Sequence, residues 1–127
     1  MKKIFYTSSA MLFLTLSHGG NIDEGKKLFE NKCTACHTVT RPNTTEAMNA
    51  LIAPPIQGIM LHMNMNFEND KKAMMIFLKD YVMNPSREKA LCMPQKIDRF
   101  GLMPSLKGTV SPEELDKIAN YLSATYY

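Results

Sequence analysis

Two thiols three positions apart, followed at once by an imidazole, make Cys33-Thr34-Ala35-Cys36-His37 the stretch richest in chemistry. Cysteine sulfurs at this spacing can add to the two vinyl groups of one porphyrin. A histidine directly after the second cysteine then lies under the ring, where its nitrogen can ligate iron. The pattern therefore reads as attachment of one covalent haem c, with Cys33 and Cys36 as thioether anchors and His37 as an iron ligand. By composition alone such a match arises in roughly one or two shuffled chains per thousand. Two other chemistries fit part of the pattern. A thioredoxin-like redox dithiol needs a βαβ context, which is missing. A zinc site would need a fourth ligand from Cys92, His62 or His18, none of which stands at zinc-motif spacing.

The elements that must position these residues read as helical throughout, with no period-2 strands and no internal repeats. A first helix is expected from Ile22 to Cys33, with Asn21 as N-cap, Glu24 three residues on, and Leu28 and Phe29 facing inward. Thr45 to Leu51 reads as a short helix ending before Pro54-Pro55. Met60-Leu61-His62-Met63-Asn64-Met65 has no clear period. Met74, Phe77, Leu78 and Tyr81 stand at i, i+3, i+4 and i+7 of a helix spanning Asp70 to Met83, which Asn84-Pro85 stops. Ser86 to Gly108 reads as a loop with two Met-Pro pairs. The last helix has Ser111 as N-cap, Pro112 at the first helical position and Glu114 closing a capping box, with Leu115, Ile118, Ala119 and Leu122 as its buried stripe.

Residues 1–19 read as a secretory signal peptide, leaving a single domain over residues 20–127. Lys2 and Lys3 supply the positive start, Ile4 through Leu16 the apolar run, and Ser17 and Gly19 the small residues before cleavage. The apolar run falls short of the about 20 residues a membrane span needs, so no stable membrane insertion is expected after cleavage. Export implies an oxidising compartment, in which Cys92 is left as an odd thiol, read as a small buried hydrophobe or a reactive group. The whole chain carries a formal charge of +3. Without Lys2 and Lys3 the balance is 13 basic against 12 acidic residues, too even for nucleic-acid binding. Lys26, Lys27 and Lys32 precede the motif, and Arg87, Lys89, Lys96, Arg99 and Lys107 surround the Met-Pro loop. Both groups could steer an acidic partner or simply be solvated.

The order of helix, Cys-x-x-Cys-His, loop, helix, Met-Pro loop and closing helix resembles the class I c-type cytochromes, over nearly the whole mature chain. Glu24-Gly25-Lys26-Lys27-Leu28-Phe29 is similar to the family's first helix, with Gly25 and Phe29 placed to pack on the last helix opposite Tyr121. The resemblance implies an all-α cytochrome c fold of three to five helices around one haem. Ala53-Pro54-Pro55-Ile56-Gln57-Gly58 resembles a family segment whose proline carbonyl accepts a hydrogen bond from the iron-bound histidine. That implies Pro54 as the partner of His37. Ala53 stands where the family has glycine. Asp80 to Pro85 is similar to the helix end before the methionine loop, and Met103-Pro104 then looks like the axial methionine. Met93-Pro94 is the runner-up, too far from the last helix for the family pattern, and His62 is a further rival.

What the resemblance implies is a soluble periplasmic monohaem carrier, likewise monomeric, passing single electrons between redox partner proteins rather than acting as an enzyme. No Ser/His/Asp constellation or acid–base pair suggests otherwise. The alternatives are a small haem subunit of a periplasmic oxidoreductase, using the long Ser86–Gly108 loop as interface, and a gas-binding haem protein. Met60, His62, Met63 and Met65 also carry donors suited to Cu(I), or else line the haem pocket.

Overall fold

The computed structural model describes residues 19–126. Six helices and no strand lie among them: α1 Gly19–Lys32, α2 Thr45–Asn49, α3 Ile56–Asn66, α4 Lys71–Met83, α5 Pro94–Phe100 and α6 Pro112–Tyr126. The expected signal segment, with Lys2, Lys3 and His18, lies outside the described residues except for Gly19.

α6 organises the rest, packing against α1, α4 and α3. Its start follows from local chemistry. Glu114 N–H donates to Ser111 Oγ at 3.1 Å, and Ser111 N–H donates to Glu114 Oε2 at 2.9 Å. This reciprocal box satisfies first-turn amides that otherwise have no partner. Leu115, Ile118, Ala119 and Leu122 are all buried, as their spacing predicts, and Ser123 is buried with them. Ser111→Ala is expected to cost about 1 kcal/mol, read as a lower melting temperature of the holoprotein. An unchanged melt would show that the box contributes nothing.

α1 crosses α6 at Gly25. A Cβ there would overlap the Lys117 carbonyl oxygen and lie 2.9 Å from Tyr121 Cβ, so only glycine lets the backbones approach this closely. Beside the crossing, Phe29 is buried and its ring lies 5.7 Å from that of Tyr121 at 43°. Glu24 and Lys117 close the outer side at 2.6 Å.

Three expectations need correction. α1 begins at Gly19, so Asn21 is inside the helix rather than its cap, and Glu24 reaches across to Lys117 instead of back to Asn21. The aperiodic methionine stretch is helical: Ile56, Met60 and Met63 are buried while Leu61 and Met65 are 62% and 70% exposed. Apolar residues on both faces erase the stripe that periodicity detects. Finally, the Ser86–Gly108 loop contains α5, which brings the count to six helices where three to five were expected. Only Ile97 of α5 is buried, too few residues to set a period. Its signals were Pro94 at the start and Gly101, at φ 75°, just past the end.

Candidate functional site

The helices leave an apolar cleft. Phe29, Met60, Met63, Leu78, Leu115, Ile118 and Leu122 form its floor, and Cys33, Cys36 and His37 stand on one wall. Met103 and Pro104 stand on another part of the lining, with Tyr81, Cys92, Lys96 and Phe100.

The motif is placed by the end of α1. Cys33 N–H continues the helix by donating to Phe29 O at 2.9 Å. Cys36 and His37 N–H then both donate to Cys33 O, at 3.2 and 2.9 Å, folding the next four residues into one compact turn. Thr34 Oγ1 donates to Glu30 O at 2.6 Å and ties the turn back to the helix. This brings both thiols and the imidazole to the same cleft.

His37 Nδ1 lies 2.8 Å from Pro54 O. A carbonyl only accepts, so Nδ1 carries the proton and Nε2 keeps its lone pair. The Pro54 carbonyl is itself held: Ile56 N–H donates to Thr38 O at 2.8 Å and Gln57 N–H to Val39 O at 3.0 Å, stitching the start of α3 to the residues after His37. Ala53 is accommodated without a positive φ, so the glycine of the family segment is not required here.

Burial, and secondarily the neighbouring Cys36, push the Cys33 thiol up to about 11. A reactive redox thiol is lowered instead, and no strand among the described residues supplies the βαβ context a thioredoxin-like dithiol needs. The zinc reading fails on geometry: among the described residues no three His, Cys, Asp or Glu side chains converge on a metal position. His18 is outside the described residues.

The other donors separate clearly. Met103 is half-buried on the cleft lining, whereas Met93 is 58% exposed, off the cleft, and forms the N-cap of α5. His62 Nε2 donates to Leu91 O at 2.8 Å and does not line the cleft. The Met60/His62/Met63/Met65 group does not gather. Met60 and Met63 face the cleft, Met65 faces solvent and His62 faces Leu91, which favours the pocket-wall role over a copper site. Cys92 is half-buried on the lining and its thiol is pushed up by burial.

An apolar slot with two adjacent thiols, an imidazole whose Nε2 lone pair is free and a thioether on the same lining fits an iron tetrapyrrole. It suits neither a hydrated ion nor a polar substrate. A helical shell with first and last helices crossed over such a slot defines a class I c-type cytochrome. The sequence pattern of the family described as Cytochrome c matches residues 22–125, and the chain belongs to that family. Its cofactor is covalently bound haem c with iron, and the family comprises haem-based electron carriers. The chain is also 30% identical over 116 residues to a protein of Aquifex aeolicus (strain VF5) described as uncharacterized, covering 83% of this chain and 75% of the relative. No solved structure matches.

Phe100 reaches the cleft without any sequence pattern to mark it. Tyr81 stood on the apolar stripe of α4, Lys96 in the basic group around the Met-Pro loop and Cys92 as the odd thiol, and tertiary placement brings all four to the cleft.

Proposed function

We propose that this chain is an exported monohaem carrier, monomeric and periplasmic, that passes single electrons between a donor and an acceptor protein. Residues 1–19 are its signal peptide and residues 20–127 the working domain. Cys33 and Cys36 are the thioether anchors, His37 and Met103 the two axial ligands, and Pro54 the residue that fixes the His37 tautomer. The observation that carries this reading is the placement of Met103, and not Met93 or His62, on the same apolar lining as His37.

When bound, the haem supplies one-electron exchange between ferric and ferrous iron. The chain's own residues do the rest. Pro54 O holds the Nδ1 proton of His37, which keeps Nε2 turned to the metal and raises its basicity. Met103 supplies a soft neutral donor compatible with both oxidation states. Phe29, Met60, Met63 and Leu78 exclude water, which disfavours net charge at the metal. With His37 and Met103 both bound to the iron, no coordination position would be left for a substrate.

Docking is brief and small, through the rim of the cleft. The basic residues contribute less free charge than their number suggests. Lys89 is paired with Asp80 at 2.7 Å, Arg87 with Asp98 at 3.7 Å and Lys26 with Glu30 at 3.9 Å. An acidic partner would therefore be steered by those of the group without a carboxylate partner, such as Lys32 at the cleft.

The test is the axial thioether. The ferric holoprotein is expected to show the weak near-infrared methionine-to-iron charge-transfer band, and Met103→Ala to abolish it while the covalent haem stays. Survival of the band in Met103→Ala, with loss in Met93→Ala, would overturn the assignment.

A further inference from the structure

We propose that Lys96, on α5, is the cation that binds a carboxylate of the haem's acidic edge. This rests on the haem reading above and assigns a role that neither the Cys-x-x-Cys-His motif nor the methionine loop provides.

Two cations line the cleft among the described residues, Lys32 and Lys96. Lys32 directly precedes Cys33, and its Nζ donates to Thr109 O at 3.1 Å. Haem carries its two vinyl groups on adjacent pyrroles and its two propionates on the other pair. Fixing the vinyl side at Cys33 and Cys36 turns the carboxylates away from Lys32's neighbourhood. Lys96 stands on a different element, and α5 makes no close backbone contact with α1.

The construction of α5 suits the task. Ile97 is buried and lines the same cleft. Lys96 and Phe100, four residues apart, share a helix face and both line the cleft. Arg99, on the same helix, is already committed: its guanidinium lies 4.7 Å from the Phe100 ring centre and Nη2 donates to Met48 O. Among the described residues Lys96 has no carboxylate partner, and its ring contact is distant, 6.0 Å from the Phe100 centre. Its charge is felt inside the cleft, where it partly offsets the upward push of burial on Cys92. An exposed lysine on the lining of an apolar slot, with no carboxylate partner of its own, is matched by a ligand that brings one.

Of the other groups on the lining, Tyr81 and Cys92 are both raised by burial, Lys32 Nζ donates to Thr109 O, and His37 Nδ1 donates to Pro54 O. The experiment measures the midpoint potential of holoprotein from about pH 5 to pH 9 for wild type, Lys96→Gln, Lys96→Arg and Arg99→Gln. In Lys96→Gln the reduced-to-oxidised ratio at fixed potential is expected to fall about threefold, or about 28 mV at 59 mV per tenfold. The pH at which the potential turns should rise by about one unit, because a lost cation makes a carboxylate easier to protonate. Lys96→Arg should keep the wild-type profile, and Arg99→Gln should leave the turning point in place. An unchanged profile in Lys96→Gln, or an equal shift in Arg99→Gln, would overturn the assignment. Intact mass is recorded first: a chain without covalent haem sinks the haem reading itself, whereas normal mass with an unmoved profile sinks only the role of Lys96.

Discussion

A Cys33→Ser/Cys36→Ser chain, matured in a host that attaches haem, is expected to emerge without the roughly 616 Da that one such group adds. It is also expected to lose its cooperative melt. The first effect follows because, among the described residues, Cys92 is the one other thiol on the cleft lining, and a single thiol is not a pair. The second follows from what lines the cleft. Met60, Met63, Leu78, Leu115 and Leu122 belong to the hydrophobic core and also form the cleft floor. Without a flat apolar body between them their inner faces meet water or collapse into different packing. Each 100 Å² of apolar surface left facing water costs about 2.5 kcal/mol, against a total stability of about 5–15 kcal/mol. A few hundred Å² is therefore enough to remove most of the stability. Mass spectrometry and far-ultraviolet dichroism on heating read the two effects separately. A native, cooperative transition in the haem-free chain would mean that the helices carry the fold alone.

Gly25→Ala should unfold far more easily than wild type, and Gly58→Ala should not. In an open helix, alanine for glycine adds about 1 kcal/mol of stability. At Gly25 the new methyl meets the Lys117 carbonyl oxygen, with Lys117 C at 2.8 Å and Tyr121 Cβ at 2.9 Å. These atoms belong to the α6 backbone or are bonded directly to it, so no rotamer change clears them. α1 and α6 must separate, loosening the Phe29–Tyr121 contact and the Glu24–Lys117 pair together. Overpacking of this kind costs typically about 1–3 kcal/mol and sometimes more. Backbone overlap places Gly25 at the top of that range. A net loss of about 2 kcal/mol lowers the melting temperature by roughly 8–16 °C. Gly58, in the first turn of α3, has nothing within 4 Å of its would-be Cβ. There alanine is expected to raise the melting temperature by a few degrees, at about 0.5 kcal/mol. Thermal melts of the two holoproteins should move in opposite directions. A Gly25→Ala protein as stable as wild type would show that the helices part at no cost.

Legibility in the sequence followed the range of the interactions. α6 is written locally: Ser111, Pro112 and Glu114 start it, and its buried residues repeat at helical spacing. α4 is nearly as plain, with Asp70 accepting from Ala73 N–H where the pattern begins and Met74 and Leu78 buried. The thiols and imidazole lie within five consecutive residues, so one turn of chain brings them together. Pro54 was within reach only through the family resemblance, since nothing in its own neighbourhood announces a bond to His37. α3 was hidden because its outer face is as apolar as its inner one. α5 was hidden because it is short and its period cannot establish itself around Ile97 alone. Lys96 was one of several surface lysines until α5 set it on the cleft. Arg87 and Lys89, equally basic in the sequence, were instead taken up by Asp98 and Asp80.

The two sides of the cleft are moored unequally. Around His37 the stitching runs through Pro54, Thr38 and Val39 into the body of α3. Around Met103 the segment is clipped to the end of α4 mainly by Leu106 N–H to Val82 O at 3.1 Å and Ser105 Oγ to Met83 O at 2.6 Å. Local opening is therefore expected to begin on the methionine flank rather than the imidazole flank. On the proposed ligand set, a diatomic gas or an oxidant would enter by that side, and weakening either clip is expected to ease its entry.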